Sequence, residues 1–125
     1  MNATHKVTMT VRAADSNPNM VNDRQMNHWR CTLRREGKRM TVLFSMGLGL
    51  SGEPTVAAVL ECLASDAAGY FNANGFDDWA SEYGYETDSR SAHKCYKTTE
   101  RQSMRLAKFM GDDLDALLYS PEHVA

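Results

Sequence analysis

His28-Trp29-Arg30-Cys31-Thr32-Leu33-Arg34-Arg35-Glu36-Gly37-Lys38-Arg39-Met40-Thr41-Val42-Leu43-Phe44-Ser45 decides the fold of this chain. Apolar residues recur at every second position on both sides of Glu36-Gly37, the period of half-buried strands. With Glu36-Gly37 as a two-residue turn, Arg35 faces Lys38, Leu33 faces Met40, Cys31 faces Val42 and Trp29 faces Phe44. Below the tip, every second cross-strand pair is then apolar, so the register supports itself. The opposite face sets His28, Arg30, Thr32 and Arg34 against Ser45, Leu43, Thr41 and Arg39. The tip gathers Arg34, Arg35, Lys38 and Arg39.

Upstream, Lys6 to Ala13 alternates in the same way and predicts a further strand. Ala14 to Gln25 is polar around Asn17-Pro18-Asn19 and predicts a loop, long for a hairpin connection. Downstream, Gly47-Leu48-Gly49-Leu50-Ser51-Gly52 matches G-x-G-x-x-G. No second parallel strand follows the next helix, so the segment reads as a flexible connector, not a dinucleotide site.

The rest is helical. A first helix is predicted from Pro54-Thr55 to about Asn72, with Val56, Val59, Leu60, Leu63, Ala67 and Phe71 as its apolar stripe. Asn74-Gly75 breaks it. A short helix then sets Phe76, Trp79, Ala80 and Tyr83 on one side and Asp77, Asp78, Ser81 and Glu82 on the other. Gly84 fits its C-terminal cap, with Tyr85 packing back. A long helix runs from Asp88 or Ser89 to Gly111, its stripe formed by Ala92, Cys95, Tyr96, Thr99, Ser103, Leu106 and Met110. Asp112 or Asp113 caps a last short helix holding Leu114, Leu117 and Leu118. The tail from Ser120 is expected to be loose. The predicted class is α+β: a small antiparallel sheet with a hairpin (6–46), one face covered by a long and several shorter helices (54–118), in a single domain over 1–125.

A chain of 125 residues can bury a core without disulfides or a structural metal. Cys31, Cys62 and Cys95 are far apart and fall on predicted apolar faces, so buried free thiols are expected. No apolar run reaches the ~20 residues of a membrane span. No signal-type apolar stretch follows Met1, and a cytoplasmic setting is the expectation.

The formal charge of −2 hides a segregated molecule. Between Met40 and Ser89 there is no Lys, Arg or His, but Glu53, Glu61, Asp66, Asp77, Asp78, Glu82, Glu86 and Asp88 all lie there. At about 100° per residue, Arg90, Lys94, Lys97, Arg101, Arg105 and Lys108 share one face of the long helix, opposite its apolar stripe. Like charges at i,i+4 each destabilise a helix by about 0.2–0.5 kcal/mol. Such a ladder is a solvated face, an internal partner for the acidic segment, or a surface for an external polyanion.

Catalytic and metal signatures are lacking. His28-x-x-Cys31 points to opposite faces of a strand, and His93-x-Cys95 diverges on a helix, so neither chelates zinc. Asp77 and Asp78 diverge on their helix as well. Asn72-x-Asn74-Gly75 echoes part of a calcium loop, but Tyr70 and Ser81 stand where acidic ligands belong. No constellation converges on a reaction, so neither an enzyme nor a cofactor is expected.

Three blocks carry a resemblance. They are His28-Trp29-Arg30-Cys31-Thr32-Leu33-Arg34-Arg35 with its hairpin, Glu53-Pro54-Thr55 through Leu63-Ala64-Ser65-Asp66-Ala67, and Phe76-Asp77-Asp78-Trp79-Ala80-Ser81-Glu82-Tyr83-Gly84-Tyr85. Over about 28–110 the chain resembles small uncharacterised proteins encoded by tailed phages and prophages. The resemblance implies a phage accessory protein and carries over no catalytic residue. By association it suggests an inhibitor of bacterial immunity, of the anti-CRISPR kind. On that expectation Asp77, Asp78, Glu82, Glu86 and Asp88 dock on a basic channel of a host CRISPR effector protein. The alternative is a nucleic-acid-binding module that uses Arg34, Arg35, Lys38 and Arg39 of the tip with Arg90, Lys94, Lys97, Arg101, Arg105 and Lys108 of the long helix.

Overall fold

A computed structural model of the chain describes residues 7–15, 26–47 and 52–119. Most of the predicted 14–25 loop, the middle of the Gly-rich connector and the tail from Ser120 lie outside the described residues. The fold is α+β. Strands β1 (Thr8–Ala14), β2 (Met26–Arg35) and β3 (Lys38–Gly47) form an antiparallel sheet in that order. Helices α1 (Val56–Asn72), α2 (Phe76–Glu82), α3 (Arg90–Met110) and α4 (Leu114–Tyr119) follow, with a 3-10 turn at Gly111–Asp113 between the last two.

The hairpin register is the one the alternation predicts. Leu33 pairs with Met40, Cys31 with Val42 and Trp29 with Phe44. Glu36 and Gly37 both have positive φ, at 49° and 78°, as a type I′ turn requires. Cys31, Leu33, Met40 and Val42 face the helices and are buried among Val59, Leu60, Leu63, Leu106, Met110 and Leu117. Trp29 and Phe44 pack at the border of this cluster, half-buried.

Local chemistry fixes the helix ends. Thr55 Oγ1 accepts from the Ala58 N–H at 3.1 Å, and Ser89 Oγ from the Ala92 N–H at 3.2 Å. At the end of α2, Gly84 takes φ 78°, its N–H donates to Ser81 O and the Tyr85 N–H to Ala80 O at 2.8 Å. That is the Schellman pattern, and Tyr85 completes it by stacking on Trp79.

Four expectations fail. Tyr83, predicted on the apolar side of the short helix with Trp79, is 48 % exposed. Phe71 is exposed at the end of α1, edge-on to Tyr70 at 5.3 Å. Phe109 is buried although it lies off the predicted stripe, because the buried arc of α3 widens at its last turn, where Leu106, Phe109 and Met110 are all covered. Of the cysteines only Cys31 is buried; Cys62 is exposed and Cys95 half-buried, since both border an open cleft rather than the core.

Candidate functional site: two charged surfaces and a cleft

The ladder stands free. Arg90, Lys94, Lys97, Arg101, Arg105 and Lys108 are all exposed, along about 27 Å of helix at ~1.5 Å per residue. Among the described residues one carboxylate pairs with them, Glu100 with Lys97 at 3.5 Å. Glu100 also accepts from the Tyr70 hydroxyl at 2.8 Å. That hydrogen bond, helped by Lys97 and Arg101, holds the Glu100 carboxyl below its usual range, and it pushes the Tyr70 phenol up to about 12.

The tip splits by face. Arg35 follows Leu33 onto the core side and is buried, pairing with Asp113 and donating to the Phe109 carbonyl at 3.1 Å. It caps the C-terminus of α3, where a cation satisfies open carbonyls and the helix dipole. Arg35 is therefore withdrawn from the proposed phosphate contacts. Lys38 is exposed, and its Nζ donates to the Lys108 carbonyl at 3.1 Å. The tip thus meets the end of the ladder, and Lys38 extends it. Arg34 and Arg39 pair across the strands on the other face, both exposed, with Arg34 donating to Thr10 Oγ1 at 3.1 Å.

The acidic side chains are also exposed: Asp77, Asp78, Glu82, Glu86 and Asp88. Among the described residues none of them pairs with a ladder cation, so the two charge populations do not neutralise each other. Asp77 and Asp78 sit in the first turn of α2, where the dipole favours them, and Asp78 also accepts from the Asn74 N–H at 2.8 Å. Aromatic contacts pin α2 to α3. Phe76 stacks on His93 at 3.9 Å, and Trp79 meets Tyr96 edge-on at 5.2 Å. Glu82, Glu86 and Asp88 serve no such structural contact among the described residues.

Between these surfaces lies a cleft of about 450 Å³ that no local motif announces. Its walls are Val42 to Ser45 of β3, Cys62 and Asp66 of α1, Trp79 of α2 with Tyr83 and Tyr85 after it, and Lys94, Cys95 and Thr98 of α3. Desolvation pushes the Asp66 carboxyl up. Desolvation by the surrounding protein, with the Asp66 charge adding, pushes the Cys62 thiol up; burial takes Cys31 to about 11. A nucleophilic cysteine needs the opposite shift, so neither is an activated thiolate. Tyr85 Oη lies 3.8 Å from Cys95 Sγ, and both Tyr83 and Tyr85 are held in the phenol form.

A sequence signal for the cleft exists but is indirect. Gly69 lies inside α1, where glycine costs about 1 kcal/mol relative to alanine. A Cβ there would collide with the Tyr83 phenol. The glycine is what lets that ring lie against α1.

Among the described residues no group of three or more His, Cys, Asp or Glu side chains could hold a metal ion, and no helix is long and apolar enough to cross a membrane. His28 and Cys31 take opposite faces, and His28 Nδ1 bonds Ser45 Oγ at 2.7 Å. Comparison with protein-family models, curated proteins and solved structures gives no match for this chain.

Proposed function

We propose that this protein is a binding module for an anionic polymer, with nucleic-acid phosphates as the ligand of α3. One observation carries the reading: six cations stand exposed on one face of a rigid 21-residue helix, and Lys38 of the hairpin continues them. Repulsion along that face destabilises the free protein, and an array of phosphates relieves it. The basic face is preferred to the acidic one because Asp77 and Asp78 already have work in building α2.

Six phosphate contacts predict that log K falls with log salt at a slope of about −5 on duplex DNA. Fluorescence titration of single- and double-stranded DNA and RNA at low salt measures this. Arg101→Glu/Arg105→Glu should remove binding while the protein stays folded. Absence of binding to every one of these ligands at low salt would end the reading.

A second reading is the inhibitor of bacterial immunity. What favours it is that Glu82, Glu86 and Asp88 are exposed, unpaired with the ladder and held beside a helix that aromatic stacking makes rigid. In this reading the acidic face docks on a basic surface of a host CRISPR effector. A docking carboxylate that meets a buried cation is worth about 2–5 kcal/mol on truncation. Glu82→Lys/Glu86→Lys should then fold normally but fail to protect phage on CRISPR-bearing hosts. Protection equal to the unmodified protein's would remove this face from the mechanism.

A further inference from the structure

We infer that the cleft takes a nucleobase of a single-stranded nucleic acid whose phosphates lie on the α3 ladder. The inference rests on the phosphate reading of α3 and adds the part of the ligand that the ladder does not touch.

Continuity with the ladder comes first. One wall of the cleft is α3 itself, through Ser91, Lys94, Thr98 and Gln102. Lys94 is a ladder cation. Ser91, Thr98 and Gln102 each follow a ladder cation in sequence (Arg90, Lys97 and Arg101), so each lies one step of ~100° round the helix from it. Arg101 already reaches that wall, donating to Thr98 Oγ1 at 3.4 Å. A strand laid along the ladder therefore has the cleft at its side, on the flank opposite the one where Glu100 meets Tyr70.

The lining selects a neutral, flat group that can hydrogen-bond. One acid, Asp66, and one cation, Lys94, balance each other, so the cleft favours neither a cationic nor an anionic occupant. It is apolar where Val59 and Leu63 of the core line it. On the α3 wall it carries the Ser91 hydroxyl and the Gln102 amide, which are neutral donors and acceptors. A glutamine amide can pair with the edge of a base through one donor and one acceptor. Tyr83 lines the same cleft and is exposed, so its ring keeps open surface on which a base can stack. The helix-interior Gly69, costly to α1, is what seats that ring. A cleft of about 450 Å³ takes a base with its sugar, not a folded domain. A base in a duplex is paired and stacked and must leave the helix to enter; a single strand offers its bases without that cost.

The test uses the full chain and a single strand of about fifteen nucleotides, made as DNA and as RNA. Beside them stand a duplex of the same sequence and an abasic DNA strand with the same number of phosphates. Fluorescence polarisation at low salt gives the affinities. Alkylation of Cys62, which is exposed and lines the cleft, reports occupancy by mass spectrometry, with the buried Cys31 as reference. The base-bearing strands should bind at least about tenfold tighter than the abasic one and slow Cys62 alkylation at saturation. The abasic strand and the duplex should leave that alkylation at the free protein's rate. Protection by either the DNA or the RNA strand supports the inference and shows which sugar is accepted. Tyr83→Ala should bring the affinities of base-bearing and abasic strands together, whereas Arg101→Glu/Arg105→Glu should weaken both. If the abasic strand binds as tightly as the others, or the duplex protects Cys62 equally well, the inference is overturned and the phosphate reading stands. If no strand and no duplex binds at low salt, the two fall together.

Discussion

The hairpin tip and α3 are the two cation-rich regions of this molecule, and they use the same residue types for opposite ends. At the tip, Arg35 and Lys38 lie on the side of the sheet that faces the helices and close the C-terminus of α3 through the carbonyls of Phe109 and Lys108. On α3, six cations stand exposed along one face, with Lys94 at the border of the cleft. Strand period turns every second cation of the tip inward; helix period lets a run spaced by three and four residues point outward without exception. A charge run is therefore informative about partners only after its face is known. Arg35 of the tip builds the fold, and the ladder, with Lys38 at its end, is available to something else.

Breaking the inward cation should produce the largest effect. Arg35→Met removes the pairing with Asp113 and the bond to Phe109 O, leaving polar groups with fewer partners at the end of α3. Urea unfolding should show a loss of about 2–3 kcal/mol with an unchanged m-value. A loss under about 0.5 kcal/mol would mean that the tip is as dispensable to the fold as the ladder. The outward cations should behave differently. Arg101→Glu/Arg105→Glu should change stability by under about 0.5 kcal/mol per site in the same assay, whatever it does to DNA binding. The smallest effect sharpens the contrast, because it concerns Glu100, the one acid among the described residues that pairs with the ladder. Tyr70 depresses the Glu100 carboxyl, so its contribution is full above the unfolded carboxyl range and is lost as pH falls through the lower folded value. Tyr70→Phe removes the main cause of that depression. Its melting temperature should consequently fall less steeply than the unmodified protein's below about pH 4.5.

What could be read from the sequence was local. The hairpin register follows from period-two alternation around Glu36-Gly37, and Thr55, Ser89 and Gly84 mark their helix ends by side-chain chemistry or positive φ. The ladder was legible for the same reason, being one face of one helix. Arg35 was misassigned because tip cations were grouped by neighbourhood in sequence; alternation from Leu33 places it inward. The cleft was invisible because its walls come from four elements spread between Val42 and Gln102. Only Gly69 and the cation-free tract left a trace of it, and neither says where the walls meet.

The bonds from Arg35 and Lys38 to the end of α3 span 70 residues or more of chain. The hairpin itself needs only neighbours, and such hairpins close in about 1–10 μs. A helix such as α3 also nucleates locally. Joining the two must await closure of the long loop between them, so these contacts belong to the late side of the folding barrier. Removing Arg35 should accordingly leave the refolding rate almost untouched and speed unfolding. In this molecule the cations at the tip act as a latch that determines how long the native state lasts, more than how fast it is reached.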